Sequence, residues 1–380
     1  MKICFITDHF YPYVGGMETF YLEAAKGLHR LGHEVRVVTS TYKEYIGNRQ
    51  IDGLDVYYYP WNMLFGHPIV RCKDLVEHIQ WADVVHTGAH TAAVSSQKVA
   101  RKCGVPVVAT LPEIAGDKWK FIEPNPIKAI IFRMFEYYVA KQDYDLIHVI
   151  SEATKRDYKR FIKNNAKVEM AYLFLDENYQ ELANKSHLNL KKYFELDDDK
   201  KVILYFGRPG QSKGLFVYLD ALKKFAKRYG LEAANNYRFC FILASEPKNT
   251  RNKFLKEISC AHLDSIVRIS NSLSKEDLFQ AISQSEVVVV PSIAEGFGFS
   301  AGEACMLGCK IIYSSGGSLP EVVFGQALAF ENRNSNDLCE KLHYVCEGKD
   351  VFQTIPPKTF LLSDMINNLE KIYKKLVYIQ

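Results

Sequence analysis

Two glutamates, Glu295 and Glu303, bracket a run of glycines, phenylalanines and small residues in the stretch Ala294–Ala304, AEGFGFSAGEA. Carboxylates accept hydrogen bonds from hydroxyl groups. A helix that begins near Phe299 would also turn its free N–H groups, with those of Gly296–Gly298, toward one crevice that suits an anion. The pattern predicts a ligand that carries a phosphate and many hydroxyls, such as a sugar and a ribose. The alternative is a pair of ordinary surface charges.

A second candidate is the segment Phe206–Gly214, FGRPGQSKG, which follows a predicted strand. Arg208 and Lys213 place two cations beside loop glycines at the start of a predicted helix. Arginine donates a planar fork of hydrogen bonds and lysine acts as a point charge, so the pair suits neutralisation of a phosphate group. The alternative is a solvated pair of surface cations.

The third candidate is the glycine pair Gly15-Gly16, at the end of the stretch DHFYPYVGG. Glycine allows the backbone to come close to a ligand, and the helix that follows offers its positive end to an anion. The alternative is a plain turn between a strand and a helix.

Short runs rich in valine and isoleucine alternate with helical patterns along most of the chain, and they must position these residues. This alternation predicts an α/β fold with parallel sheets that carry helices on both faces. In the first half the predicted strands are Lys2–Thr7, Glu34–Thr39, Val56–Tyr59, Asp83–His86, Val107–Thr110, Leu146–Ile150 and Val168–Tyr172. In the second half they are Val202–Phe206, Phe239–Ala244, Ile266–Ile269, Val287–Val290 and Cys309–Tyr313, and the predicted helices include Met17–Leu31, Gly214–Tyr229 and Ser274–Ser283.

A polar, charged stretch, Glu181–Lys201, separates the two runs of strands. We therefore predict two doubly wound domains, residues 1–180 and 181–355. The helical segment 356–380 follows the doublet Pro356-Pro357, and we expect it to return to the first domain.

Composition restricts the class of protein. The 380 residues contain 48 Lys and Arg against 44 Asp and Glu, which argues against nucleic acid as the main partner. Nine scattered cysteines without a Cys-x-x-Cys motif are typical of a reduced, cytosolic protein. We see no signal peptide at the first residues and no apolar run long enough to span a membrane. The sequence therefore predicts a soluble, cytoplasmic protein.

The stretch PSIAEGFGFSAGEACMLGCKIIYSSGGSLPEVV resembles the donor-site signature of the family four retaining glycosyltransferases, which have the GT-B fold. In that signature two glutamates precede a strand and a Gly-Gly-x-Pro-Glu element; the similar stretch here, Gly316–Glu321, reads Gly-Gly-Ser-Leu-Pro-Glu. The loop from Gly207 to Gly214 is similar to the diphosphate-binding loop of the family. The opening ITDHFYPYVGGMETFYLEAAKGLHRLGHEVRVVTS is similar to its N-terminal strand, glycine loop and helix, so the resemblance covers both domains.

The resemblance implies a role for each matched residue. Arg208 and Lys213 would hold the diphosphate of a nucleotide-sugar donor, Glu295 would bind hydroxyls of the transferred sugar, and Glu303 would bind the ribose. Catalysis would depend on Glu295, Arg208 and Lys213. The remaining donor-binding residues would be Gly296, Phe297, Gly298, Phe299 and Ser300, with Gly15 and Gly16 approaching from the other domain.

Two segments depart from the family pattern. Many members carry Thr-x-His after a strand of the first domain, but here Pro112 stands where that histidine belongs. The usual Pro-Asn-Gly-x-Asp is replaced by Leu173–Glu177, in which only Asp176 aligns. His90 is our candidate for a polar residue on the acceptor side, and the alternative is a structural or exposed histidine.

The implied reaction transfers a hexose-type sugar, with retention, from a UDP- or GDP-sugar to a glycan or lipid-linked hydroxyl. Since the cations that face the diphosphate belong to the protein, we expect no metal and no cofactor. The other readings are another GT-B enzyme, such as an epimerase or phosphorylase, and a non-catalytic nucleotide-sugar-binding subunit. The aromatic segment Ile127–Ala140, with interleaved cations, is either a helix at a membrane surface or an ordinary helix packed on the sheet.

Overall fold

The computed structural model describes residues 1–13, 15–64, 67–163 and 166–378. The chain divides into two compact units of α/β structure. The first unit comprises Met1–Lys120, Asn125–Phe174 and the residues from Phe360 onward, and the second comprises Phe121–Pro124 and Leu175–Thr359. The predicted class, α/β with two parallel sheets, is confirmed.

The first unit contains an eight-stranded sheet in the order β10-β9-β8-β7-β1-β2-β4-β3. Its strands, with the small hairpin β5–β6, are β1 (Lys2–Ile6), β2 (Glu34–Ser40), β3 (Gly47–Ile51), β4 (Leu54–Tyr59), β5 (Met63–Leu64), β6 (His67–Pro68), β7 (Val84–Thr87), β8 (Val107–Leu111), β9 (Leu146–Val149) and β10 (Val168–Met170). Its helices are α1 (Gly16–Arg30), α2 (Cys72–Trp81), α3 (Thr91–Cys103), α5 (Pro126–Ala140), α6 (Glu152–Phe161) and α15 (Leu362–Tyr378), and the short α4 (Trp119–Ile122) lies where the chain leaves this unit.

All neighbouring strands of this sheet are parallel except β3, which pairs antiparallel with β4 at the edge. The central strands are buried on both faces, which explains why most of their residues are apolar. The last helix, α15, packs against α1 so closely that a methyl group on Gly27 would lie 2.1 Å from Cδ1 of Ile366. The C-terminal segment is therefore part of the first unit.

The second unit contains a seven-stranded sheet in the order β13-β12-β11-β14-β15-β16-β17. Its strands are β11 (Lys201–Gly207), β12 (Tyr237–Leu243), β13 (Val267–Asn271), β14 (Val287–Val290), β15 (Lys310–Ser314), β16 (Gly325–Phe330) and β17 (Gln353–Ile355). Its helices are α7 (Tyr179–Asn184), α8 (Leu190–Tyr193), α9 (Leu215–Tyr229), α10 (Lys248–Cys260), α11 (Lys275–Ser283), α12 (Phe299–Met306), α13 (Leu319–Val322) and α14 (Ser335–Cys346).

The strand order of the second sheet places its topological switch point between β11 and β14. The chain winds outward from β11 to β13, returns to β14 and then winds the other way to β16. The loops that follow the two central strands therefore begin at the switch point, which is where open parallel sheets bind their ligands. Both loops with candidate residues, Arg208–Gly214 and Pro291–Gly298, begin there.

Five strands of the described chain were not predicted: the hairpin strands β5 and β6, the edge strands β3 and β17, and β16 beside β17. The exposed, polar sequence of β3, GNRQI, becomes a strand only because it pairs with β4. Strands β16 and β17 extend the second sheet beyond the last predicted strand, and β17 runs antiparallel to β16. No helix in the described part of the chain is long and apolar enough to cross a membrane.

Candidate functional site

The loop after β11 lies against the loop after β14 at the switch point of the second sheet. The N–H groups of Ile293 and Ala294 donate to the carbonyl oxygen of Ser212 at 2.8 and 3.4 Å. Gly214 has φ +69, and a β-carbon there would lie 1.8 Å from the carbonyl oxygen of Pro291. Only glycine fits this conformation and this contact, so Gly214 fixes the distance between the two loops.

A third loop, between β15 and α13, holds the glycine-rich stretch from the other side. Ser318 donates from its N–H group and from Oγ to the carbonyl oxygen of Glu295, at 3.2 and 3.1 Å. The same Oγ lies 2.7 Å from the carbonyl oxygen of Phe297. Gly317, at φ +60, lies so close that a β-carbon would be 2.6 Å from the Glu295 carbonyl oxygen. Glu295 is therefore held by its backbone in a fixed position.

Helix α12 begins at Phe299, as predicted, and Gly298 precedes it with φ +106. The first N–H groups of a helix have no partner within the helix, so those of Phe299 and Ser300 face the end of the loop. Phe297 is buried, with its ring centroid 5.3 Å from that of Phe299. This start of α12 can therefore bind an anion beside Glu295.

Asn332, which follows β16, connects these loops to the next strand of the sheet. Its Nδ2 donates to the carbonyl oxygen of Ile293 at 3.0 Å, and its Oδ1 accepts from Oγ of Ser314 at 3.1 Å. A β-carbon on Gly316 would lie 2.2 Å from Nδ2 of Asn332. Sequence reasoning did not single out Asn332 or Ser314, because neither belongs to a chemical pattern that can be read locally.

The two cations of the β11 loop have different surroundings. Nζ of Lys213 lies 2.8 Å from Oε2 and 3.0 Å from Oε1 of Glu295, which is only 13% exposed. Arg208 is exposed, and within the described ranges no carboxylate forms an ion pair with it. The site therefore contains one paired and one unpaired cation.

Glu303 projects from α12 and is partly buried. Burial raises the pKa of its carboxyl to about 7, against a smaller lowering by the charges of Lys275 and Lys213. A carboxyl with this pKa needs hydrogen-bond donors to be stable as the anion. The hydroxyls of a bound ligand can supply them.

The remaining predicted residues belong to the first unit. Gly15 is extended, with φ −174, and Gly16 is the first residue of α1. His90 is exposed and precedes α3, with its ring centroid 4.1 Å from that of His67. Where the family carries histidine, the carbonyl oxygen of Pro112 accepts a 3.3 Å hydrogen bond from Oγ1 of Thr154.

Asp176, the aligned remnant of the second altered motif, belongs to the second unit. Its Oδ1 accepts a 3.0 Å hydrogen bond from the N–H group of Asn178, just before α7, and Oδ2 lies 3.8 Å from Nζ of Lys275. Asp176 therefore has a local structural role at the start of the second unit.

Two family profiles match this chain, one on each half. Residues 14–179 match "Glycosyltransferase Family 4", and residues 188–354 match "Glycosyl transferases group 1".

Similar curated proteins come from archaea, fungi and bacteria. An uncharacterised glycosyltransferase of Methanocaldococcus jannaschii, MJ1607, is 24% identical over 85% of this chain and 83% of its own length. The phosphatidylinositol N-acetylglucosaminyltransferase gpi3 subunit of Schizosaccharomyces pombe is 21% identical over 98% of this chain and 80% of its own. The O-antigen biosynthesis glycosyltransferase WclY of Escherichia coli is 22% identical over 81% of this chain and 83% of its own length.

Solved structures share the fold over the whole chain. Sucrose-phosphate synthase of Thermosynechococcus elongatus superimposes with a TM-score of 0.79 at 16% identity, with 100% of both chains covered. A glycosyltransferase of Rickettsia africae gives 0.72 at 19% identity, over 100% of this chain and 99% of the other. Anabaena Alr3699/HepE in complex with UDP gives a TM-score of 0.67 at 16% identity, over 99% of this chain and 95% of the other.

Proposed function

The chain belongs to the family 4 glycosyltransferases of GT-B fold, and we propose that it transfers a hexose-type sugar, with retention, from a UDP- or GDP-sugar. The acceptor would be a hydroxyl group of a glycan or of a lipid-linked molecule. The observation that carries this proposal is the convergence of Arg208, Lys213, Glu295 and the start of α12 at the switch point of the second sheet.

The charges of this site fit the demands of the reaction. Cleavage of a sugar–phosphate bond leaves negative charge on the departing diphosphate and positive character on the sugar. Arg208, Lys213 and the N–H groups at the start of α12 would stabilise the diphosphate, and the Glu295 carboxylate would hold the sugar hydroxyls. Glu295 and the start of α12 are held by backbone contacts before the donor binds, and the Lys213–Glu295 ion pair places the ammonium group beside the carboxylate.

Retention would follow from attack on the same face of the sugar. The acceptor oxygen would form its bond to the anomeric carbon as the bond to the diphosphate breaks, and its proton would pass to the departing phosphate. Nothing in this step requires a metal, because Arg208 and Lys213 supply the compensating charge.

The exposed face of α5 supports an acceptor at a membrane surface. Of its fifteen residues only Ala129, Val139 and Ala140 are buried, which disfavours an ordinary helix packed on the sheet. Ile127 is 69% exposed and Met134 is 64% exposed, and the exposed cations Lys128, Arg133 and Lys141 are interspersed. Apolar side chains among cations are typical of helices that lie on anionic bilayers.

Names of relatives agree with a lipid-linked acceptor, since one is a phosphatidylinositol N-acetylglucosaminyltransferase subunit and another acts in O-antigen biosynthesis. All nine cysteines of this chain are free thiols, which fits an enzyme that acts at the cytoplasmic face of a membrane.

The test of membrane binding is sedimentation with phosphatidylglycerol vesicles. The double variant Ile127→Ser/Met134→Ser should lose binding, while Leu31→Ser, at a 48% exposed position on the α1 end, should not. Equal binding of both variants would refute the membrane proposal.

The donor test is a thermal-shift screen with UDP-, GDP-, ADP- and CMP-sugars, followed by transfer assays with the sugar that stabilises the chain most. We expect one donor to stabilise the chain and to give an α-linked product from an α-linked donor. An isomerised nucleotide sugar or phosphorolysis without acceptor would instead identify an epimerase or a phosphorylase. Tight donor binding without turnover on any acceptor would identify a non-catalytic subunit.

A further inference from the structure

A second cluster of chemically capable side chains lies in the first unit and includes His90, the acceptor-side candidate. It consists of Asp8, His67 and His90, whose ligand atoms all lie within 4.8 Å of one another. Asp8 follows β1, His67 belongs to β6, and His90 follows β7. Because β1 and β7 are adjacent strands from which the chain winds in opposite directions, the cluster lies at the switch point of the first sheet.

The contacts of Asp8 divide its carboxylate into a bound and a free oxygen. Oδ1 accepts a hydrogen bond from the N–H group of Ala92 at 3.0 Å and lies 3.4 Å from Oγ1 of Thr91, which fixes the side chain at the start of α3. Asp8 is 9% exposed, and its Oδ2 is buried without a hydrogen-bond partner. An unpaired buried carboxylate oxygen is costly unless a ligand or a cation satisfies it.

The nitrogen that faces this oxygen is unsatisfied as well. Nδ1 of His67 lies 3.3 Å from Oδ2 of Asp8, yet the two atoms are not aligned as a hydrogen bond, and Nδ1 is buried without a partner. With metal–ligand bonds of about 2.0–2.1 Å, neighbouring ligand atoms of a tetrahedral zinc site are about 3.3 Å apart. The two atoms therefore have the spacing of ligands that share one metal ion.

His90 supplies the third ligand from the rim of the cluster. Its ring centroid lies 4.1 Å from that of His67, and one of its ring nitrogens lies within 4.8 Å of the ligand atoms of Asp8 and His67. Oγ1 of Thr91 donates a hydrogen bond to the carbonyl oxygen of Pro68, which ties β6 to the start of α3. This bond holds the two histidines side by side.

We propose that Asp8, His67 and His90 bind a zinc-class divalent metal ion, with the remaining coordination position open. Two imidazole nitrogens and one carboxylate oxygen are a ligand set that suits Zn²⁺ and related transition metals, whereas Mg²⁺ prefers oxygen ligands. With three protein ligands, a zinc ion keeps a fourth position, which can take an oxygen of a phosphate or hydroxyl ligand. This site is additional to the metal-independent donor chemistry proposed for the second unit, and each can fail without the other.

The test is calorimetric titration of the chelator-stripped full chain with Zn²⁺ at pH 7.5, with Mg²⁺ as the comparison ion. We expect one Zn²⁺ per chain, a rise in the melting temperature on loading, and no response to Mg²⁺. His67→Ala and His90→Ala should each weaken Zn²⁺ binding by more than about 100-fold, since outer-shell partners alone are worth 10–100-fold. Asp8→Asn keeps the oxygen that accepts from Ala92 and should also lose the metal.

His29→Ala is the matched control, because His29 is an exposed histidine of the same unit outside the cluster, and it should bind Zn²⁺ like the unaltered chain. Co²⁺ substitution distinguishes this site from adventitious binding to cysteines, since a thiolate charge-transfer band would reveal sulfur ligands. Variants are compared only where their metal-free circular dichroism matches that of the unaltered chain, and His67→Gln replaces His67→Ala if the latter does not fold. Absence of Zn²⁺ binding, unchanged binding in the His67 and His90 variants, or a thiolate band would overturn the proposal.

Discussion

The ammonium group of Lys213 lies between the two carboxylate oxygens of Glu295, 2.8 Å from one and 3.0 Å from the other. The two residues lie on loops that follow different strands, β11 and β14. Each is assigned to a different part of the donor, the lysine to the diphosphate and the glutamate to the sugar. Their pairing therefore holds both groups in place at the junction where the sugar–phosphate bond would lie.

The different surroundings of the two cations predict different consequences of their removal. Arg208→Ala should weaken binding of the nucleoside diphosphate by about 2 kcal/mol or more, the cost of a lost charge-assisted hydrogen bond, with little change in stability because Arg208 is exposed. Lys213→Ala should weaken binding similarly and also lower the melting temperature, because it leaves Glu295 without its cation. Calorimetry and thermal unfolding of both variants provide the check. Unaltered nucleoside diphosphate affinity in both would show that the diphosphate binds elsewhere.

The raised pKa of Glu303 predicts a pH dependence of nucleotide binding. Only the ionised carboxyl accepts hydrogen bonds at both oxygens from a ribose, and before binding its pKa is about 7. Protonation therefore competes with the ligand as the pH falls, and affinity for UDP or GDP should drop about tenfold from pH 8 to pH 6 through this group. Binding at pH 7 should also release protons, measured by calorimetry in buffers of different ionisation enthalpy. Glu303→Gln should bind more weakly and lose this part of the pH dependence; an unchanged profile would exclude Glu303 from the ribose site.

Gly317 should tolerate no side chain. A β-carbon would lie 2.6 Å from the carbonyl oxygen of Glu295, and φ is +60. We expect Gly317→Ala to displace the Glu295 loop and to abolish donor binding. The matched control is Gly308→Ala, at φ +74 with no atom within 4 Å of the added carbon. That control should cost only about 1–2 kcal/mol, from left-handed backbone strain alone, and it should still bind the donor. Equal effects of the two substitutions would show that backbone strain alone is responsible.

Buried histidines predict the acid sensitivity of the first unit. Burial lowers the pKa of His148 to about 4, and that of His86 falls well below its ordinary value. Oγ1 of Thr110 lies between their rings, 2.5 Å from Nε2 of His86 and 2.8 Å from Nδ1 of His148. Between pH 6.5 and 4 these two histidines become protonated in the unfolded chain but stay neutral in the folded chain. The free energy of unfolding should therefore fall as the pH falls.

Urea unfolding at pH 7 and pH 5 measures this loss of stability. His148→Gln removes one such proton and should make the loss on acidification smaller, whereas His29→Gln, at an exposed position, should leave it unchanged. The same pH dependence in all three proteins would contradict this account.

The sequence was informative where one local pattern determines one structure. Short apolar runs that alternate with helical patterns predicted the central strands. A capping signature predicted the start of α11, where Oγ of Ser274 accepts a hydrogen bond from the N–H group of Asp277. The glycine-rich stretch predicted the start of α12 at Phe299. Edge strands such as β3 escaped prediction because their polar sequences depend on a neighbouring strand.

Contacts between residues distant in sequence could not be predicted in the same way. Lys213 and Glu295 were assigned separate ligands, and nothing local indicates that they pair with each other. Asp8, His67 and His90 belong to three separate segments that only the sheet topology brings together. Ser318 and Asn332 hold the site through backbone carbonyl groups, so their roles depend on the folded loops and not on a recognisable motif.

The most direct test of the donor site is calorimetric titration of Glu295→Gln and Glu303→Gln with the nucleoside diphosphate and with the intact nucleotide sugar. Both substitutions keep the shape of the side chain and remove its charge. We predict that Glu295→Gln binds the nucleoside diphosphate almost normally but loses affinity for the nucleotide sugar and loses turnover. We predict that Glu303→Gln binds both ligands more weakly. Equal losses for both ligands in both variants would contradict the division of the site into a sugar half at Glu295 and a ribose half at Glu303.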